Sequence, residues 1–320
     1  MKKLLSVLLS MAMAVSMTAC GGADEEETGK VKIGILQQLE HVALDQSREG
    51  FIDALKDNGY TDENVEWDIQ NAQNDVSNLQ TMAERLVNDK NDLILAIATG
   101  SAQTLAGKTT EIPIMVTSVT DPVDAGLVNS WEKPGTNVSG TSDLSPMAEQ
   151  IDLLLKLDPE VKTIGLLYTS SEDNSILQIT QMKEILDEKG IKYVENTVTN
   201  SNDVQQAVQS IVEKCDAIYI PTDNVLASAM ALVADVALKE KVPVVAGDIG
   251  MTMIGGLATV GIDYYNLGYI TGEMAVRVLN GEDISEMPIE TQKDYRISIN
   301  ATAVEALGIE VPEDLVQYVK

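Results

Sequence analysis

Ala98-Thr99-Gly100-Ser101-Ala102-Gln103, followed by Ile112-Pro113-Ile114-Met115-Val116, decides the fold of this chain. The first stretch closes an apolar run that begins at Asp92 and then opens a helix. The second is another apolar, β-rich run. The pattern returns later: Ile220-Pro221-Thr222-Asp223-Asn224 repeats the first stretch, and Val242-Pro243-Val244-Val245 repeats the second. Strands that end in small or hydroxylated residues and lead straight into helices belong to parallel sheets covered on both faces. Finding the pattern twice predicts two Rossmann-like lobes of class α/β.

Working outward, Val31 to Leu36 reads as a buried strand, and Asp45 reads as the cap of a helix facing inward through Leu44, Phe51, Ile52 and Leu55. Val65 to Ile69 is a second strand, and Asp75 caps a helix that buries Val76, Leu79, Met82, Ala83, Leu86 and Val87. A short helix is expected from Ser101 and a strand to Val119. In the second half the same periodicities predict strands from Thr163, Ile191, Ala217 and Val242. Helices are predicted over Asn174 to Glu188, Asp203 to Glu213 and Asn224 to Lys239. The lobe boundary is expected between Ser142 and Ser145, where Ser145-Pro146 has the form of a helix start.

The amino terminus carries Lys2 and Lys3, a short apolar run from Leu4 to Val15, and Met17-Thr18-Ala19-Cys20. The run is shorter than the ~20 residues a membrane span needs, so residues 1–19 read as a secretory signal. The ending resembles a bacterial lipobox, which makes Cys20 the expected lipidated residue and residues 20–30, with four consecutive acids, a polar tether. The protein is then expected outside the cytoplasmic membrane, attached to it through that lipid.

With 50 acids against 22 bases and a net charge of −28, the chain would be repelled by nucleic acid. Cys215 is the only cysteine left beside Cys20, so no internal disulfide is expected. Two tryptophans, one phenylalanine and nine tyrosines are few rings for stacking against sugars.

Ligands of open parallel sheets bind beyond the carboxyl ends of the strands. The residues expected there are Glu40 and His41, then Thr99, Gly100, Ser101 and Ala102, then Thr117 and Asp121, and in the second half Tyr168, Thr222, Asp223, Asn224 and Asp248. They are mostly hydroxyls and carboxylates, without lysine or arginine. Such a set suits a zwitterion. The helix start at Thr99 to Ala102 offers backbone N–H groups and hydroxyls to a carboxylate, and Asp121, Asp223 and Asp248 offer charge to an ammonium. Ser101 and Asn224 equally suit plain helix capping. His41, the only histidine, suits a cleft role or a solvated loop. No G-x-S-x-G or H-E-x-x-H is present, and Cys/His metal ligands are lacking. Gly107-Lys108-Thr109 lacks the glycine that a phosphate loop would need at position 102. Neither cofactor nor metal is expected, and the chain is not expected to be an enzyme.

Several stretches together resemble the ABC transporter substrate-binding lipoproteins of the tryptophan/tyrosine-binding type, from Lys32 to Val319. They are Glu40-His41-Val42-Ala43-Leu44-Asp45 leading to Gly50-Phe51, Ala98 to Gln103, Val119-Thr120-Asp121-Pro122, Pro221-Thr222-Asp223-Asn224, Gly261-Ile262-Asp263-Tyr264-Tyr265-Asn266-Leu267-Gly268, and Ile299-Asn300 with Ala306-Leu307-Gly308. Val42 stands where the family often has proline. The resemblance implies the type I periplasmic binding protein fold, with crossovers near 145, 263 and 290. Residues 31–144 plus 263–289 would form one lobe and 145–262 plus 290–320 the other. It also implies a monomeric receptor that holds a small ligand, often an aromatic amino acid, between the lobes and hands it to an ABC permease. A receptor for a sensor protein and a secreted enzyme on the same fold are the alternatives.

Overall fold

The computed structural model describes residues 29–320. The expected signal sequence, Cys20 and nearly all of the expected tether lie outside the described residues. The chain begins with β1 (Val31–Gln37), α1 (Val42–Asp57), β2 (Val65–Asn71), α2 (Val76–Asn88), β3 (Leu93–Ile97), α3 (Thr99–Ala106), β4 (Ile114–Val119) and β5 (Val138–Ser142). It continues with α4 (Met147–Leu157), β6 (Thr163–Thr169), α5 (Asp173–Lys189), β7 (Lys192–Val198), α6 (Val204–Val212), β8 (Ala217–Ile220), α7 (Asn224–Ser228) and α8 (Met230–Lys239). The last part holds β9 (Val244–Ala246), α9 (Ile249–Ile254), β10 (Ala258–Gly261), α10 (Tyr264–Leu279), β11 (Glu290–Thr291), β12 (Arg296–Ile299) and α11 (Ala301–Leu307).

Two six-stranded sheets result, in the orders β11-β5-β4-β3-β1-β2 and β12-β10-β9-β8-β6-β7. All pairings are parallel except β12 against β10. The central strands are the apolar runs. All five residues of β3 and all four of β8 are buried, as strands covered on both faces require. Edge strands β2 and β7 mix polar and apolar residues because one face meets solvent.

The chain passes between the sheets three times: after β5, after β10 and after β11. At the second passage α10 leaves the sheet of β10 and packs on α1. That crossing is close. A Cβ on Gly268 would lie 1.9 Å from the Ser47 carbonyl oxygen, and one on Gly50 would lie 2.0 Å from that of Tyr265.

Several local expectations need correction. His41, not Asp45, occupies the cap position of α1. Asp45 sits in the first turn, where it accepts from Gln37 Nε2 at 2.9 Å and pairs with Arg48 at 3.2 Å. Val42 is the first helical residue, a place that proline also suits. The helix after β3 begins at Thr99 rather than Ser101. Pro146 holds the cap position of α4 without a side-chain cap, while the Ser145 hydroxyl accepts from Gln150 Nε2 at 3.3 Å. The helix expected over Asn224 to Lys239 breaks at Ala229 into α7 and α8.

Candidate ligand cleft

The carboxyl ends of the two sheets face one another across a cavity of about 10 Å³. That is far below the ~300 to ~1,000 Å³ of small-molecule sites, so the side chains of the two lobes close over nearly all of the space between them. His41, Leu44, Ser118, Thr120, Asp143 and Tyr264 wall it from one side, and Asn174, Thr222, Asp223, Asn224 and Asp248 from the other. One strand is strained where it reaches the cavity: Ser118 within β4 has φ +56°, a left-handed conformation that non-glycine residues adopt at a cost and that clusters at functional sites. Ala98, between β3 and α3, has φ +78°.

The wall is acidic and contains no lysine or arginine. Asp143 accepts from the Tyr264 hydroxyl at 2.8 Å and from Thr120 Oγ1 at 3.1 Å. Burial pushes its carboxyl up to about 6, against the pull of those two hydrogen bonds. Asp248 caps α9 by accepting from the Met251 N–H at 2.8 Å through Oδ1. Burial raises its pKa, and the neighbouring His41 opposes the rise. His41 itself is pushed down by burial, with Asp248 pulling the other way. Asp223 is fully engaged: it accepts from Thr169 N at 2.6 Å, Thr169 Oγ1 at 2.7 Å, Ser175 Oγ at 2.8 Å and Leu226 N at 2.9 Å. Its carboxylate therefore organises β6, α5 and α7, and Asp143 and Asp248 are the acids best placed to meet a cation.

The start of α3 supplies the opposite chemistry. The Gly100 N–H donates to Gln38 Oε1 at 3.1 Å. Gly100 leaves room for the Gln38 side chain, whose Oε1 would lie 2.7 Å from an added Cβ. The Ser101 hydroxyl is fully buried and makes no hydrogen bond. An enclosed donor without an acceptor is costly, and a bound anion would satisfy it.

Of the residues expected from sequence, the structure brings His41, Thr222, Asp223, Asn224 and Asp248 to the cavity wall. Five others stand elsewhere. Asp121 caps the turn that follows it, accepting from the N–H groups of Val123 at 2.8 Å and Asp124 at 3.1 Å. Tyr168 points to the sheet edge, where its hydroxyl meets Glu195 at 3.2 Å. Thr117 is enclosed in its lobe and accepts from Thr141 Oγ1 at 3.2 Å. Ala102 belongs to the hydrophobic core, and Glu40 is exposed. Thr99 is buried at the first position of α3, beside Gly100 and Ser101 but off the cavity wall.

Sequence reasoning misses Asp143, Thr120, Asn174 and Tyr264 as site residues. Asp143 follows β5, whose serines, threonine and glycine do not read as a strand, and Asn174 lies within the first turn of α5, beyond the end of β6. Tyr264 opens the helix that returns to the first lobe.

Hydrogen bonds join the lobes around the cavity. His41 Nε2 lies 3.2 Å from Asn224 Oδ1, Gln103 Nε2 donates to Asp173 Oδ2 at 2.9 Å, and Gln178 Nε2 reaches Thr120 Oγ1 at 3.4 Å. The cleft is shut.

Residues 32–320 match the sequence profile described as ABC transporter substrate binding protein. The chain belongs to that family. A tyrosine-binding protein of Clostridioides difficile is 42% identical over 332 aligned residues, which span 100% of this chain and 96% of the relative. The crystal structure of a Streptococcus pneumonia domain in complex with L-Trp is 38% identical, covers 91% of this chain and 100% of its own, and superposes with a TM-score of 0.88. A ligand-free, open substrate-binding protein from Clostridium difficile is more similar in sequence, at 48% over 91% of this chain and 98% of its own, yet superposes at only 0.70. A single rigid superposition loses score when lobes are rotated. The lobes here therefore stand as in the liganded relative, in agreement with the hydrogen bonds across the cleft.

The fold is that of type I periplasmic binding proteins. As a substrate-binding protein of an ABC transporter, the chain works on the extracytoplasmic side with a permease and is not an enzyme. Among the described residues, no helix is long and apolar enough to cross a membrane.

Proposed function

We propose that this protein captures an aromatic amino acid of the tyrosine and tryptophan class and delivers it to its permease while held to the membrane by lipid on Cys20. The observation that carries the ligand class is the polarity of the cavity. Buried acids at Asp143 and Asp248 stand without a cationic side chain, while the unpartnered Ser101 hydroxyl waits at the start of α3. A zwitterion satisfies both ends, its ammonium at the two aspartates and its carboxylate at α3. Leu44 and the Tyr264 ring offer apolar surface to a side chain. The tyrosine- and tryptophan-binding relatives support the aromatic class.

Residues 31–144 plus 263–289 and residues 145–262 plus 290–320 move as two bodies of a monomer. Closure makes contacts that the open form lacks, so the ligand shifts the equilibrium toward the shut form.

Calorimetry with L-tyrosine and L-tryptophan tests the ligand. Asp248→Asn is expected to weaken either by about 10- to 100-fold, the loss of one hydrogen bond to a charged group. Unchanged affinity would remove the ammonium from Asp248, and absence of binding to the unmodified protein would remove the ligand class. Metabolic labelling with palmitate tests the anchor. The label is expected on the exported protein and absent from Cys20→Ser, which is then released to the medium.

A further inference from the structure

Two fully buried polar side-chain atoms make no hydrogen bond among the described residues: the Ser101 hydroxyl and Glu172 Oε1. They come from opposite lobes. Ser101 is in the first turn of α3, and Glu172 immediately precedes α5. The two helices are joined across the lobes by the Gln103–Asp173 hydrogen bond at 2.9 Å.

Glu172 is 6% exposed and uses its two oxygens unequally. Oε2 accepts from the Asn224 N–H at 3.1 Å and from Asn224 Nδ2 at 3.0 Å, and it lies 3.4 Å from Asn174 Nδ2 and from Ser175 Oγ. Asn224 and Asn174 line the cavity, so the carboxyl stands directly behind its wall. An oxygen that takes several N–H groups is the carbonyl-like one, so the proton of a neutral acid belongs on Oε1.

The charged surroundings favour that neutral acid. Asp223, on that wall, accepts four donors at 2.6 to 2.9 Å and is the member of the pair equipped to hold the negative charge. Asp173 stands at the rim, His41 faces Asn224 across the cavity, and Asp248 lines the same side as Asn224. No lysine or arginine compensates there. Burial, and then the charge of Asp223, push Glu172 up to about 8.

We infer that Glu172 is a specificity-determining residue: as a neutral acid it donates its Oε1 hydrogen to the carboxylate of the bound amino acid, which the Ser101 hydroxyl holds from the other lobe. This rests on the amino-acid reading proposed above. The proton stays on Glu172, and no bond beyond the hydrogen bond forms. An acid in this position demands an acceptor from the ligand. Amines that lack the carboxylate leave both orphans unsatisfied and are rejected.

The test is titration calorimetry of L-tyrosine and L-tryptophan from about pH 6.5 to 9 on the unmodified protein, Glu172→Gln and Ser101→Ala. Binding needs the protonated acid. The unmodified protein is therefore expected to hold its affinity below about pH 8 and to lose it above, approaching tenfold per pH unit, with close to one proton taken up per ligand. In Glu172→Gln an amide N–H replaces the O–H donor. That variant is expected within about threefold of the unmodified protein at neutral pH, with the pH dependence gone. Ser101→Ala is expected to weaken binding about tenfold at every pH without moving the midpoint. Tyramine should bind weakly and indifferently to Glu172→Gln. A Glu172→Gln profile parallel to that of the unmodified protein overturns the inference, as does an unmodified protein that is flat to about pH 9 and takes up no proton. Should Glu172→Gln fail to fold, proton uptake by the unmodified protein and by Ser101→Ala decides. Binding with the wrong pH profile removes this inference alone, whereas no binding of either amino acid at any pH removes the amino-acid reading with it.

Discussion

Asp143 has a phenol on one oxygen, a threonine hydroxyl on the other, and no cation beside it. Its pKa of about 6 lies above the ordinary aspartate value, so the folded state binds this proton more tightly than the unfolded chain does. The stability contributed by that proton is complete at low pH and is lost as pH climbs from about 4 through about 6, a loss of ~3 kcal/mol for a shift of ~2 units. Asp143→Asn cannot ionise; its amide oxygen accepts from one of the two hydroxyls and its NH2 group donates to the other, which turns to accept. It is expected to melt higher than the unmodified protein near neutral pH and at the same temperature near pH 4, while binding ligand less tightly; melting curves across pH check this. Asp121 carries the same functional group with another fate. Its carboxylate caps a turn, so Asp121→Ala should cost about 1 kcal/mol of stability and leave ligand affinity unchanged by calorimetry. Both aspartates follow strands of one sheet, yet sequence points to Asp121. Asp121 follows the strongly apolar β4, which announces itself, whereas Asp143 follows Val138-Ser139-Gly140-Thr141-Ser142, whose hydroxyls disguise a buried strand.

Helix α10 shows how an element serves a lobe that it does not adjoin in sequence. It follows β10 of one sheet yet packs on α1 of the other, and so brings Tyr264 to Asp143. The fit depends on bare backbone at the crossing. A methyl group at Gly268 would overlap the Ser47 carbonyl oxygen and force the helices apart. Gly268→Ala is expected to cost at least ~3 kcal/mol, at or beyond the upper end of overpacking penalties. At Gly107, φ is −71° and the nearest atom to an added Cβ is 3.4 Å away, so Gly107→Ala should stay within about 0.5 kcal/mol of the unmodified protein. Denaturant unfolding of the two variants makes the comparison. The central strands and the long helices are legible because burial on both faces, or on one stripe, leaves a period in the sequence. The break at Ala229 is not legible: both pieces are rich in apolar residues, and only the backbone there, at φ −106° and ψ 11°, leaves the helix.

At the scale of the whole molecule, shutting the cleft joins lobes held by three passages of chain and by few hydrogen bonds. Gln103 and Asp173 meet at the rim, outside the cavity wall. Gln103→Ala should leave the melting temperature unchanged and weaken ligand binding two- to fivefold, since an exposed hydrogen bond contributes about 0.5–1 kcal/mol to the shut form only. Calorimetry reads the affinity, and small-angle scattering reads the contraction on adding ligand, which the variant should reach only at higher concentration. Sequence alone determined the α/β class, the pairing of two similar halves and the oxygen-rich, cation-poor character of the strand ends. These follow from local periodicity and from which side chains can follow a buried strand. Tertiary structure alone decided which oxygens are free and which are taken: Asp223 saturated, Asp121 in a turn, Asp143 and Asp248 at the cavity, and Glu172 Oε1 and the Ser101 hydroxyl left without partners. A hydrogen-bond partner tens of residues away leaves no period in the chain. Burial, which raises the pKa values of Asp143, Asp223, Asp248 and Glu172, exists only once the two lobes have been folded and brought together.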